Sequence, residues 1–374
     1  MPTTNWYTRI QKELAGDGED NSVLRLGDEM PDPRKVIYKP TSRSLQWAMD
    51  GGLPGGKVLM LAGPESGGKS AEGYDLIQSM QNQDPEGWAI LYDAEYNYDK
   101  NYVKRLGVDT RRLIVKQGNS AKGVFDHFHK EVMPLVQDGL PLRMMMIDSV
   151  KALRGPREAA MESTEDNIMA DLARVLGPAT KMIVGDIRQH SIATVLIQQV
   201  NEEMDPNIAK YQSKWKIPNG QALKHFIDIL VLVERVNAKD SKIFDGHEVQ
   251  LGHTIRATVR KNRVGAPFRV AEYQLAYGKG VTNVHKEVAG LAVKLEAVER
   301  PNQQTYKFGD RSFRGRDAFE QALASDVGLQ EAIMAKIMKV YVDPEPAAVM
   351  DDLIDSTAIA EEELPPGMDL DEDP

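Results

Sequence analysis

The stretch Val58-Leu-Met-Leu-Ala-Gly63-Pro-Glu-Ser-Gly67-Gly68-Lys69-Ser70 decides the fold. An unbroken apolar run from Val58 to Ala62 reads as a buried strand. The pattern GxxxxGKS follows, and a helical pattern begins where it ends. Glycine lets a backbone fold around a phosphate so that several N–H groups converge on it. A helix starting at the loop adds the positive end of its dipole. Among Gly63, Pro64, Glu65, Ser66, Gly67, Gly68, Lys69 and Ser70, the lysine reaches the β- and γ-phosphates and Ser70 meets Mg2+. The segment therefore reads as a nucleoside triphosphate site.

Working outward, further strand candidates are Ala89–Tyr92, Arg143–Ile147, Ala193–Gln198, Ile229–Glu234 and His253–Arg260. Helical patterns separate the first four strands, which predicts an α/β core with a mostly parallel central sheet. The last runs lack intervening helices and suggest added antiparallel strands. Tyr7, Ile10 and Leu14 give a short N-terminal helix that stops at Gly16. The expected organisation is an N-terminal oligomerisation helix and linker over 1–34, an ATPase core over 35–280, and a small C-terminal α/β domain over 281–340.

The 374 residues include no cysteine, which excludes disulfides, thiol catalysis and cysteine-held metals. No run approaches a membrane span and no secretory signal core is present, so a cytoplasmic protein is expected. The net charge of −10 divides unevenly. Residues 341–374 carry twelve acidic residues and no basic one, leaving 46 basic against 44 acidic residues elsewhere. The segment reads as a disordered acidic tail on a near-neutral body, so the low pI does not argue against nucleic acid.

Phosphate chemistry needs a carboxylate on the Mg2+ side and a group to orient water. Asp148 ends an apolar run; it is a metal-side candidate or a helix cap. Glu95 ends another strand, as a general base or as a solvated loop residue. Gln198 and Gln199 end a third strand, where an amide can sense a γ-phosphate or make a structural hydrogen bond. Residues 155–168 and 201–220 interrupt the α/β pattern. The second loop holds Lys210, Tyr211, Lys214, Trp215 and Lys216, followed by Pro218-Asn219-Gly220. Cations paired with aromatics suit nucleic acid, and a solvated surface loop is the plainer reading. The basic stretch Arg256, Arg260, Lys261, Arg263 and Arg269 reads as a solvated face or as arginine-finger chemistry across a subunit boundary.

These motifs together resemble the bacterial RecA recombinases and their phage relatives over roughly residues 20–300, and more weakly to 340. Ser22-Val-Leu-Arg-Leu-Gly27-Asp28, the phosphate loop, Asp93-Ala-Glu95 with Asp99 and Tyr102, and Ile147 to Leu153 carry the likeness. Lys261-Asn-Arg263-Val-Gly-Ala-Pro-Phe268 with Tyr277-Gly278 is the most specific part. The resemblance implies a DNA-dependent ATPase using ATP and Mg2+, with Mg2+ at Ser70 and Asp148. It implies helical filaments on single-stranded DNA and strand exchange with homologous duplex DNA, with single-strand-binding or mediator proteins as partners. By the same likeness Glu95 is catalytic, Lys261 and Arg263 reach the neighbour's γ-phosphate, and Gln199 couples that phosphate to DNA. Asp99, Tyr102, Tyr277 and Gly278 serve the adenine, while Met169, Arg174, Lys181, Asn219 and Gly220 fall at DNA contacts. Ser70 in place of the usual threonine, Asn201 after the amide pair and a longer second loop point to a divergent, phage-type (UvsX-like) member. A hexameric helicase on the same core, or an ATP-gated DNA coat without strand exchange, are the competing expectations.

Overall fold

The computed structural model describes residues 35–159, 171–202, 214–218, 220–236, 238, 241–245 and 247–341. The expected N-terminal helix, the acidic segment after Tyr341, and Met169, Lys210, Tyr211 and Asn219 lie outside the described residues. The chain divides into two units, Met1–Thr282 and Asn283–Pro374.

The first unit opens with strand β1 (Ile37–Tyr38), helix α1 (Arg43–Ala48) and strand β2 (Leu53–Pro54). There follow β3 (Val58–Gly63), α2 (Lys69–Gln83), β4 (Trp88–Asp93), α3 (Lys100–Arg105) and β5 (Leu113–Gln117). Next come α4 (Ala121–His127), α5 (Met133–Gln137), β6 (Leu142–Asp148), α6 (Pro156–Ala159), α7 (Asp171–Gln189) and β7 (Ala193–Gln199). The short elements β8 (Asn201–Glu202), β9 (Trp215–Lys216) and α8 (Gly220–Leu223) precede β10 (Ile229–Arg235). The unit ends with β11 (Lys242–Phe244), β12 (Gln250–Asn262), β13 (Val270–Ala276) and β14 (Gly280–Thr282).

One sheet runs in the order β14-β13-β12-β10-β3-β7-β6-β4-β5, with β11 added to β12. Neighbours from β10 to β5 are parallel. Those beyond β10 are antiparallel. The mixed α/β architecture expected from the alternation is thus the one observed. Every residue of β3 is buried. A parallel strand covered on both faces needs such a continuous apolar run. The run Met144-Met-Met146 in β6 is buried for the same reason.

Four strands of this sheet, β5, β11, β13 and β14, were not anticipated, and two of them show why. β5 is an edge strand whose residues after Leu113 are only partly covered, so Lys116 and Gln117 break its apolar signal. β13 alternates buried Ala271, Tyr273 and Leu275 with polar or exposed neighbours, and pairs antiparallel with β12. The 201–220 loop is closed at its base by pairing of Asn201 with Lys216 and Glu202 with Trp215.

The second unit contains α9 (Val284–Lys294), three strands, β15 (Glu299–Asn302), β16 (Thr305–Phe308) and β17 (Arg311–Arg314), then α10 (Arg316–Ser325) and α11 (Val327–Tyr341). Its antiparallel strands pack on Phe319 of α10. That ring stacks on Tyr306 at 5.1 Å and lies 5.4 Å from Phe313.

Candidate active site

Register fixes the site before any side chain is considered. Gly63 at the end of β3 lies beside Gln199 at the end of β7. Asp93 at the end of β4 lies beside Asp148 at the end of β6. All four share the carboxyl edge of the parallel strands, where α/β folds bind ligands.

The phosphate loop needs its glycines for space. A Cβ on Gly63 would sit 2.0 Å from the Val233 carbonyl oxygen, and one on Gly67 would sit 3.1 Å from the same atom. Gly68 caps α2 in the left-handed region, at φ 95°. Glu65 and Ser66 are exposed, whereas Lys69 is buried. Lys69 Nζ donates to the Pro64 carbonyl at 2.6 Å. Burial lowers its pKa, opposed by Asp148, Glu95 and Glu65.

Ser70 hydrogen-bonds Asp148, whose pKa is pushed up to about 6 by burial, with Glu95 and Asp93 adding to the rise and Ser70 and Lys69 opposing it. A carboxylate desolvated beside two others is short of positive charge. The hydroxyl and carboxylate are both hard oxygen ligands, so the pair suits a divalent cation.

Glu95 is held from three sides. Ser149 Oγ donates to Oε1 at 2.5 Å, Gln199 Nε2 donates to Oε1 at 3.3 Å, and Asn97 Nδ2 donates to Oε2 at 3.2 Å. Its loop hangs on the buried Asp93, whose carboxylate accepts from Asn97 N, Tyr98 N and Gln117 Nε2 at 3.1, 3.0 and 2.9 Å. Of the two strand-end acids in Asp93-Ala-Glu95, the first is therefore a scaffold and the second faces the crevice. Of the amides, Gln198 is fully buried while Gln199 is partly exposed and touches Glu95.

Asp99 caps α3, accepting from Asn101 N at 2.7 Å and Tyr102 N at 3.0 Å. Those amides hold its pKa below the usual carboxylate range. Asp99 thus serves as the N-cap of the helix that carries Tyr102. The Arg105 guanidinium lies 5.9 Å from the Tyr102 ring centroid. A Cβ on Gly278 would lie 3.5 Å from Arg105 Nε, so the Tyr277–Gly278 turn approaches α3. Tyr277 is half-exposed and its hydroxyl accepts from Gln250 Nε2 at 3.0 Å.

Lys261 and Arg263 are not in this cluster. Lys261 pairs across strands with Leu230, which lies beside Met60, toward the start of β3. Lys261 Nζ donates to the Lys224 and Ile227 carbonyls, both at 2.6 Å, and Arg263 Nη1 donates to His225 O at 2.9 Å. Burial lowers the Lys261 pKa, helped by Arg263. The two cations sit toward the opposite edge of the sheet from their own phosphate loop.

Of the candidate nucleic-acid residues, Arg174 and Lys181 are exposed on α7, seven positions apart and hence on one face. Lys214 and Lys216 are exposed and Trp215 is half-buried at the base of the 201–220 loop. Gly220 opens α8. Ser149 and Arg235 were not singled out from sequence. Ser149 follows Asp148 and looks like an ordinary turn residue, and Arg235, whose Nε donates to Ser66 O at 2.6 Å, has no local motif.

The RecA N-terminal domain family matches residues 8–282. The chain belongs to the RecA family. Proteins named Protein RecA are similar along most of it. That of Chlorobaculum parvum is 29% identical over 317 residues, covering 84% of this chain and 86% of its own. That of Chlorobium limicola is 28% identical over 321 residues, covering 85% and 87%. That of Corynebacterium efficiens is 28% identical over 353 residues, covering 94% and 86%. RecA-family proteins are DNA-dependent ATPases of recombination and repair, and this chain is one of them. Among the described residues no helix is long and apolar enough to cross a membrane.

Proposed function

We propose that this RecA-family protein assembles as a filament on single-stranded DNA, with ATP between adjacent subunits, and pairs that strand with homologous duplex. The observation that carries the reading is the division of phosphate-directed groups between two edges of one sheet. Lys69, Ser70, Asp148, Glu95 and Gln199 lie at the carboxyl edge, and Lys261 with Arg263 toward the other. Cations so placed serve the triphosphate of a neighbouring subunit rather than their own.

In this mechanism the phosphate loop binds the triphosphate, and Lys69 moves from Pro64 O to the β- and γ-phosphates. Ser70 and Asp148 would hold Mg2+, which would neutralise charge on the phosphates. Glu95 orients the attacking water and takes its proton. Tyr102, Tyr277 and Gly278 border the base. Gln199, already bonded to Glu95, feels the γ-phosphate and leads directly into β8, the arm of the DNA loop. Loss of the γ-phosphate breaks contacts across the boundary and lowers DNA affinity. Arg174, Lys181, Lys214, Trp215 and Lys216 provide cations and a stacking surface for the strand.

A D-loop assay with electron microscopy of the same sample tests this. Joint molecules together with open helices are the expected result. Closed rings that unwind duplex, or DNA coats that never yield joint molecules, overturn it.

A further inference from the structure

Three consecutive residues at the end of β10 face two different loops. The carbonyl of Val233 lies against Gly63 and Gly67 of the phosphate loop. Arg235 Nε donates to the Ser66 carbonyl of that loop at 2.6 Å. Between them, Glu234 points to the other side, as strand alternation requires. Its Oε1 accepts from Trp215 Nε1 at 2.6 Å and lies 3.5 Å from Lys214 Nζ. The Lys214 ammonium in turn lies 4.7 Å from the centroid of the Trp215 ring.

Two of the groups that suit a nucleic acid at the base of the 201–220 loop, Lys214 and Trp215, are therefore already engaged by one carboxylate. Glu234 has a basic cross-strand neighbour, Arg256, in register on β12. Arg256 is committed to Glu272 at 2.8 Å, which leaves Glu234 to the loop. A carboxylate is an acceptor-only, negatively charged group, as a DNA phosphate is. The indole N–H and the ammonium cannot satisfy Glu234 and a strand of DNA in the same geometry.

We propose that Glu234 is an acidic latch: it holds Lys214 and Trp215 in place of DNA, and its strand neighbours Val233 and Arg235 tie that latch to the phosphate loop. A displacement of the loop by nucleotide shifts the strand end that carries Glu234. The latch opens, and Lys214 and Trp215 pass to the DNA. Glu234 touches neither nucleotide nor DNA; it is a positioning residue that sets how strongly DNA affinity depends on nucleotide. The inference rests on the reading of Lys214 and Trp215 as DNA contacts.

The test measures binding of a labelled oligo-dT to the full chain, without nucleotide and with a slowly hydrolysed ATP analogue. Four proteins are compared: wild type, Glu234→Ala, the pair Lys214→Ala with Trp215→Phe, and all three changes together. Glu234→Ala should tighten binding about ten-fold without nucleotide and much less with the analogue, since a charge-assisted bond no longer competes. In the triple variant that gain should vanish. Glu234→Gln keeps size and an acceptor but no charge; it should show a smaller gain in the same direction and carries the test if the alanine variant folds poorly. Equal affinity ratios for wild type and both Glu234 variants overturn the latch. A gain that persists in the triple variant also overturns it, because the carboxylate then acts only through the general field. If Lys214→Ala with Trp215→Phe binds oligo-dT as wild type does, the assignment of these residues to DNA fails and the latch fails with it.

Discussion

Ser149 Oγ donates to Glu95 Oε1 at 2.5 Å, so the ends of β6 and β4 are bridged by a hydroxyl and not by a cation. Lys69, the nearest ammonium in the phosphate loop, is engaged by Pro64 O instead. The carboxylate is thus held in one direction, as a water-orienting base must be.

Glu95→Gln should leave nucleotide binding intact and lower DNA-stimulated turnover by about 10² or more, since shape is kept and the base is lost. Ser149→Ala removes one charge-assisted bond to Glu95 and should lower kcat by about ten-fold with KM little changed. Restoration by Ser149→Thr would identify the hydroxyl as the cause. Steady-state ATPase assays on saturating single-stranded DNA measure both. Wild-type kcat in Glu95→Gln would remove Glu95 from the chemistry.

Much of this edge was legible because its signals are short-range. A strand, a glycine loop and a helix in sequence predicted the phosphate loop, and apolar runs ending in Asp148, Glu95 and Gln199 predicted side chains at one sheet edge. Long-range relationships were not legible. Nothing local to Val233 or Arg235 reveals that they brace the phosphate loop, since the contacts join residues far apart in sequence. Asp93 and Glu95 look alike in sequence, and only the three donors on Asp93 separate scaffold from crevice. Asp99, read with the adenine contacts, is observed as the cap of α3.

The Val233 carbonyl leaves no room for any side chain at Gly63. Gly63→Ala should either part β3 from the end of β10 or displace the loop. A stability loss of about 1–3 kcal/mol is expected from such overpacking, with nucleotide affinity reduced more than ten-fold. Urea unfolding and a fluorescent nucleotide titration would measure the two effects. Normal nucleotide affinity in a stable Gly63→Ala protein would contradict the contact.

His253 on β12 is buried, with its ring 5.5 Å from that of Tyr277, and neither ring nitrogen has a hydrogen-bond partner. Burial, with the Arg235 guanidinium adding to it, pushes its pKa down to about 4. The unfolded imidazole takes up a proton near pH 6.5, whereas the folded one resists until about 4. Between those values the unfolded state binds more protons, so stability falls as pH falls. His253→Leu abolishes this term. The stability of wild type relative to the variant should drop by on the order of 2 kcal/mol between pH 7 and pH 5. Parallel urea titrations at the two pH values check it, and an unchanged difference would show that His253 is protonated as readily folded as unfolded.

The separation of Lys261 from Lys69 gives the most discriminating experiment. Lys261 pairs with Leu230, beside Met60 toward the start of β3, while the phosphate loop leaves the other end of that strand after Gly63. The three residues between them span roughly 10 Å of strand, and Lys261 is bonded to carbonyls at its own end. Lys261→Ala or Arg263→Ala should therefore leave nucleotide binding by an isolated subunit unchanged and abolish DNA-stimulated turnover. Lys69→Ala should instead weaken nucleotide binding by the subunit that carries it. Mixed in equal amounts, the two kinds of inactive subunit can adjoin so that an intact phosphate loop faces an intact Lys261 and Arg263. Random assembly in a polymer makes about a quarter of the boundaries complete, and turnover should recover to roughly that fraction of wild type. Recovery in the mixture, with none in either variant alone, requires the cations to act across the boundary. No recovery, together with lost nucleotide binding in isolated Lys261→Ala subunits, would put them in their own subunit's site.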